Sequence, residues 1–303
     1  MIEVFDETFM RRLEQLGLIA RRARAGRGAG ERRSVKHGAS LEFADYRDYT
    51  PGDDLRRLDW HLYARLERPF IKLFEAEEDQ TVYLLLDASG SMDWPEAGGD
   101  LNKWNFSRRL AAALGYIALA GGDRLAAAHL SQNRSHVWGP YRSKGYIHTL
   151  LQHLAALTAA GPTDLNAALR HLAAGDSARS GRRRRPGLLF LISDFFSPGG
   201  YEQGLLALRS AGHEVTVLHL LSPDEIEPML LGDLRLHDVE TDLAQEITID
   251  PGVRRLYRQH FEAWQSDLER YCFSHDINYV RLNTSLNFEA VILSYLRQKG
   301  VVR

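Results

Sequence analysis

Cysteine is nearly absent from this 303-residue chain: Cys272 stands alone, so no intramolecular disulfide can form. It falls in a helix-like pattern and reads as a small buried side chain rather than a nucleophile. Charge of one sign is also missing. The formal net charge of -2 leaves no global nucleic-acid signature, and no nucleic-acid partner is expected. Long apolar runs are lacking too. The longest, residues 110–122, is too short to span a bilayer and is bracketed by Arg109 and Asp123. The first residues carry Glu3, Asp6 and Glu7 and no apolar signal-peptide core. A cytoplasmic protein with no transmembrane segment is therefore expected.

What is present is an apolar run, Val82 to Leu86, that stops at Asp87-Ala88-Ser89-Gly90-Ser91. Such a run reads as a strand buried on both sheet faces. Asp87, Ser89 and Ser91 then sit in the loop at its C-terminal end, where open α/β sheets place ligands. Oxygen ligands with a single charge suit a hard cation such as Mg²⁺. A second buried strand, Leu188 to Ser193, also ends at a carboxylate, Asp194. Gly161-Pro162-Thr163-Asp164 supplies a hydroxyl ahead of a helical pattern. The set Asp87, Ser89, Ser91, Thr163 and Asp194 resembles the metal-ion-dependent adhesion site of von Willebrand factor A domains. That resemblance implies a divalent metal, most readily Mg²⁺, with Asp194 acting through water and an acidic side chain of a partner completing the shell.

Strands alternating with helices from about residue 80 predict a doubly wound, mostly parallel α/β sheet. The expected division is 1–79, an N-terminal appended segment, and 80–303, a von Willebrand factor A-like domain. Phe5, Phe9, Leu13, Leu16 and Ile19 predict an amphipathic helix within residues 5–23. Residues 21–36 hold seven basic residues against one acid among several glycines, a pattern without regular structure. Arg21, Arg22, Arg24, Arg27, Arg32 and Arg33 are the candidate contacts there for an acidic partner or anionic lipid. The Gly-Lys-Ser/Thr ending of a phosphate-cradling loop is absent. Another basic run, residues 181–186, precedes the Asp194 strand and so lies opposite the metal loops. Leu234 to Val239 and Ile247 to Ile249 predict a hairpin at the sheet's edge. His148 and His153, five apart, do not share a helix face and read as surface histidines.

Residues 41–79 carry eleven acids against six bases around Tyr46, Tyr49 and Trp60, which predicts a locally paired, aromatic-anchored surface. Gly38-Ala39-Ser40-Leu41-Glu42-Phe43, Asp45-Tyr46-Arg47, Pro51-Gly52-Asp53 and Arg57-Leu58-Asp59-Trp60, followed by Ala64-Arg65 and the Asp87 loop, resemble the bacterial family called domain of unknown function 58. The resemblance covers roughly residues 30–200. It implies association with MoxR-type AAA+ ATPases, which would supply the acidic ligand, and work in assembly or maturation of another complex.

No catalytic residue is assigned. A Mg²⁺-dependent hydrolase of phosphate esters is the alternative, but no His, Lys or second carboxylate has an evident general-base position beside the loop. An Asp-x-Asp nucleophile is ruled out by Ser89. A membrane-peripheral adaptor acting through the basic loop is the remaining alternative.

Overall fold

The computed structural model describes residues 5–19, 41–51, 53–55, 58–76, 80–96, 99–131, 134–175, 185–240 and 244–303. The basic residues Arg21, Arg22, Arg24, Arg27, Arg32 and Arg33, and Arg182 to Arg184, lie outside the described residues. Two compact units result, Met1–Arg27 with Gln80–Arg303, and Gly28–Asp79.

In the small unit, strand β1 (Leu41–Asp48) pairs antiparallel with β2 (Phe70–Ala76), and helix Trp60–Leu66 lies between them in sequence. The expected local pairing is found. Asp59 caps the helix by accepting the backbone N–H groups of His61 and Leu62, and Tyr46 donates its hydroxyl to the same carboxylate at 2.9 Å. Arg47 donates to Asp53 at 2.7 Å, and Asp53 in turn accepts the Thr50 N–H. The sequence motifs around Tyr46, Asp53 and Asp59 thus close one turn network.

The large unit is built on a six-stranded sheet of order β10-β7-β6-β3-β4-β5, from β3 (Thr81–Asp87), β4 (Arg124–Ser131), β5 (Arg134–Arg142), β6 (Leu188–Ser193), β7 (Glu214–Leu221) and β10 (Asn278–Asn283). All neighbours are parallel except β4 and β5. Every residue of β3 and of β6 is buried, as expected of strands covered on both faces. Alternate residues serve opposite cores. Leu84 and Leu86 join helix Lys103–Ala120 and helix Ile147–Ala156; Tyr83 and Leu85 join helix Leu165–Ala174, helix Glu202–Ser210 and helix Pro251–Ser274. Cys272 is a free, buried thiol in the second core. This is the doubly wound, mostly parallel architecture expected. Among the described residues no helix is long and apolar enough to cross a membrane.

Three expectations need correction. The N-terminal helix runs only from Glu7 to Glu14 and belongs to the large unit, with Phe9 and Leu13 buried in its core beside Phe288. It stops because the chain turns at Gly17 to pair with the C-terminal residues: Arg303 donates its N–H to the Gly17 carbonyl at 2.9 Å and Leu18 bridges Val302. The appended segment therefore does not include this helix. The predicted edge hairpin, β8 (Gly232–His237) with β9 (Ala244–Ile249), is a separate two-stranded sheet; β10 and β5 are the edges of the main sheet. Its residues are mostly exposed, with only Leu234, Ile247 and Ile249 half-buried. Finally, His153 is half-buried and stacks on Trp138, although His148 is exposed.

Candidate functional site

The order of the sheet fixes where a ligand can sit. After β3 the chain moves to β4 on one side, and after β6 it moves to β7 on the other. The crevice between the C-terminal ends of β3 and β6 is thus the topological switch point. Asp87 ends one strand and Asp194 follows the other.

Asp87 is buried, with one carboxylate oxygen accepting the Ser89 N–H at 3.0 Å and the other the Ser193 hydroxyl at 2.6 Å. Burial first, and then the Asp194 charge, push its carboxyl up to about 6 against those hydrogen bonds. Ser89 and Ser91 stand with their hydroxyl oxygens 3.0 Å apart, at the start of a short 3₁₀ turn whose Met92 is fully buried. Gly90 donates its N–H to the Gly161 carbonyl at 2.8 Å, and Ala160 donates to the Ala88 carbonyl at 3.0 Å. These bonds tie the Thr163 loop to the Asp87 loop. Thr163 is 5% exposed, and its hydroxyl has no hydrogen-bond partner among the described residues. Such an orphaned group costs free energy unless something accepts or ligates it.

Asp194 is held by local backbone strain. Phe195 adopts the left-handed conformation (φ 62), which is rare for a bulky residue. The Ser193 hydroxyl accepts the Phe195 N–H, and Asp194 accepts the Phe196 N–H at 3.1 Å. Behind them His219 is buried and donates from Nε2 to the Asp194 carbonyl at 3.2 Å, leaving Nδ1 to accept the Tyr279 hydroxyl. Burial pushes this imidazole down to about 3, so it is neutral.

The sequence did not predict the cation already present. Lys103, fully buried at the start of helix Lys103–Ala120, donates to Asp194 at 2.6 Å and to Glu225. The Phe196 ring lies 5.3 Å from its ammonium. Burial alone would lower this amine; the Asp194 and Glu225 carboxylates outweigh it and leave it raised. A lysine and a further carboxylate do therefore stand near Asp194, although not in general-base positions. Both are committed to one another, and a lysine held protonated is no general base. Glu225 was foreshadowed by the capping box Ser222-Pro223-Asp224-Glu225, which forms and turns the chain just after β7. Lys103 carried no sequence signal beyond its position after the cap Asn102.

Glu240, on the turn after β8, also reaches the site. One of its oxygens lies 3.5 Å from the Ser91 nitrogen.

The residues present fit a small, hard divalent cation: one buried carboxylate, two paired hydroxyls and an unpartnered third hydroxyl. Among the described residues there is no cluster of three acidic, histidine or cysteine ligands, so a cation would rest mainly on neutral oxygens. Asp194, already bound by Lys103, is suited to act through water.

In doubly wound α/β domains the loops at the switch point are where ligands sit, and here that position carries a hydroxyl-rich loop. More narrowly, the family model described as "Protein of unknown function DUF58" matches residues 45–267, and the chain belongs to that family. It is similar to the Uncharacterized protein Mb1516 of Mycobacterium bovis, 28% identical over 303 residues, with 99% of this chain and 93% of that protein covered. Among solved structures it is similar to the conserved hypothetical protein BatB from Bacteroides thetaiotaomicron, at 14% identity and a TM-score of 0.41, covering 73% of this chain and 98% of that one. The SpRpn10 VWA domain matches at 10% identity and a TM-score of 0.39, over 71% and 94% of the two chains.

Proposed function

We propose that this protein is a non-catalytic, metal-dependent interaction module. A divalent cation, best matched by Mg²⁺, is held by Asp87, Ser89, Ser91 and Thr163, with Asp194 acting through water. With so few anionic ligands the cation stays electrophilic, and an acidic side chain of a protein partner completes its shell. The family resemblance points to a MoxR-type AAA+ ATPase as that partner, in the cytoplasm, during assembly or maturation of another complex. The observation that carries this reading is the orphaned, buried Thr163 hydroxyl on a loop tied by hydrogen bonds to the Asp87-Ser89-Ser91 loop.

Hydrolysis is the weaker reading on chemical grounds. The nearest amine is doubly ion-paired and the nearest imidazole is buried with both nitrogens engaged. Neither can take a proton from a water on the cation.

Capture of a MoxR-type ATPase by this protein, in Mg²⁺ and in EDTA, is the direct test. Capture is expected to fall at least tenfold in EDTA and with Asp87→Ala, the variant keeping its circular dichroism. Equal capture in all conditions would overturn the role of the cation.

A further inference from the structure

The β8–β9 hairpin is not part of the main sheet, yet its tip is packed on the metal loop. A Cβ on Gly90 would stand 3.2 Å from the Val239 carbonyl oxygen and 3.6 Å from Glu240 Cγ. A Cβ there would require the tip backbone to give by a few tenths of an ångström. The tip is shaped locally, since Glu240 donates its N–H to the Asp238 carboxylate at 2.8 Å. The Glu240 carboxylate is thereby brought to Ser91, 3.5 Å from its nitrogen.

Electrostatics make that placement unfavourable as it stands. Asp87 and Asp194 are both buried nearby, and the one buried amine is shared between Asp194 and Glu225. Among the described residues no basic side chain pairs with Glu240. The three carboxylates do not form a metal-holding cluster among the described residues, but a carboxylate brought toward like charges without a basic partner is unfavourable unless a cation lies nearby. On the loop tied to the same metal loop, the Thr163 hydroxyl has no hydrogen-bond partner among the described residues.

We propose that Glu240 is an internal acidic ligand of this site. Its carboxylate holds the coordination position that a partner's acidic side chain takes, and a partner gains access by displacing the β8–β9 tip. The inference rests on the metal reading above and assigns that site its resident competitor. Glu240→Gln keeps the shape of the tip and removes the charge, and Glu240 is partly exposed, so the fold is expected to survive.

Mn²⁺ is the probe, with affinity read by calorimetry and open coordination positions by the relaxation of water protons. If Glu240 is a ligand, Glu240→Gln weakens Mn²⁺ by about tenfold or more and raises the relaxation enhancement by one exchangeable water. Acetate then quenches that gain in the variant and has little effect on the wild type. Unchanged affinity and relaxation in Glu240→Gln, with binding abolished in Asp87→Ala, would overturn the internal ligand and leave the metal site standing. Mn²⁺ bound equally by wild type and Asp87→Ala, or by neither, would remove the metal site and the internal ligand with it.

Discussion

Lys103 sets the energetics of the site's interior. An ammonium with no solvent exposure is tolerable only because two carboxylates face it, and those carboxylates are tolerable only because of the ammonium. Lys103→Met leaves the buried Asp194 and the half-buried Glu225 without their cation and is expected to cost about 3–5 kcal/mol in urea unfolding. Adding Asp194→Asn and Glu225→Gln to that variant is expected to recover much of the loss, because no uncompensated charge remains. A single variant as stable as wild type would show that the triad contributes nothing to the fold. At this scale the sequence was informative where chemistry is local. Asp87, Ser89 and Ser91 lie within five residues, and their spacing declares them. Lys103 and Glu225 are 122 residues apart in the chain, and only the folded sheet brings them to one point.

Elements were legible in proportion to how completely they are buried. Strands β3 and β6 read directly as apolar runs because both sheet faces are covered. The β8–β9 hairpin read correctly as a hairpin and wrongly as a sheet edge, because a pattern of exposed strands does not say what they pair with. Strand β1 was hidden by its charges, of which Arg47 pairs with Asp53 in the following turn. The alignment of β3 and β6, which sets Asp87 beside Asp194, depends on a close approach at the other end of both strands. A Cβ on Gly187 would lie 2.0 Å from the Thr81 carbonyl oxygen, so a larger residue must push one backbone from the other. Gly187→Ala is expected to destabilise by about 1–3 kcal/mol or more, seen as a lower urea midpoint. A midpoint unchanged within error would mean the two strands slide freely at that end.

For the molecule as a whole, the unexpected feature is the recruitment of the N-terminal helix to the large unit. The spacing of Phe9 and Leu13 announces an apolar face, but amphipathicity does not name the surface that covers it. Here the cover is Phe288 and its neighbours from the far end of the chain: Phe9 meets Phe288 at 6.1 Å between ring centroids, and Phe5 stacks on Phe288 at 6.0 Å. Pairing of Leu18 with Val302 continues the closure. Phe9→Ala is therefore expected to cost about 3–5 kcal/mol, the range for truncating a buried aromatic ring. Phe288→Ala should fall in the same range, and the double variant should lose less than the sum by about 0.5–1.5 kcal/mol, the coupling typical of an aromatic pair. Urea unfolding of the four proteins measures that coupling. A value near zero with both single variants destabilised would mean that each ring packs against other neighbours and not on its counterpart. A neutral Phe9→Ala would mean that the helix makes no stable contact with the core. Coupling of the expected size would establish that the helix of residues 7–14 is held by the segment around Phe288, and that a chain truncated to begin at residue 80 lacks part of the core.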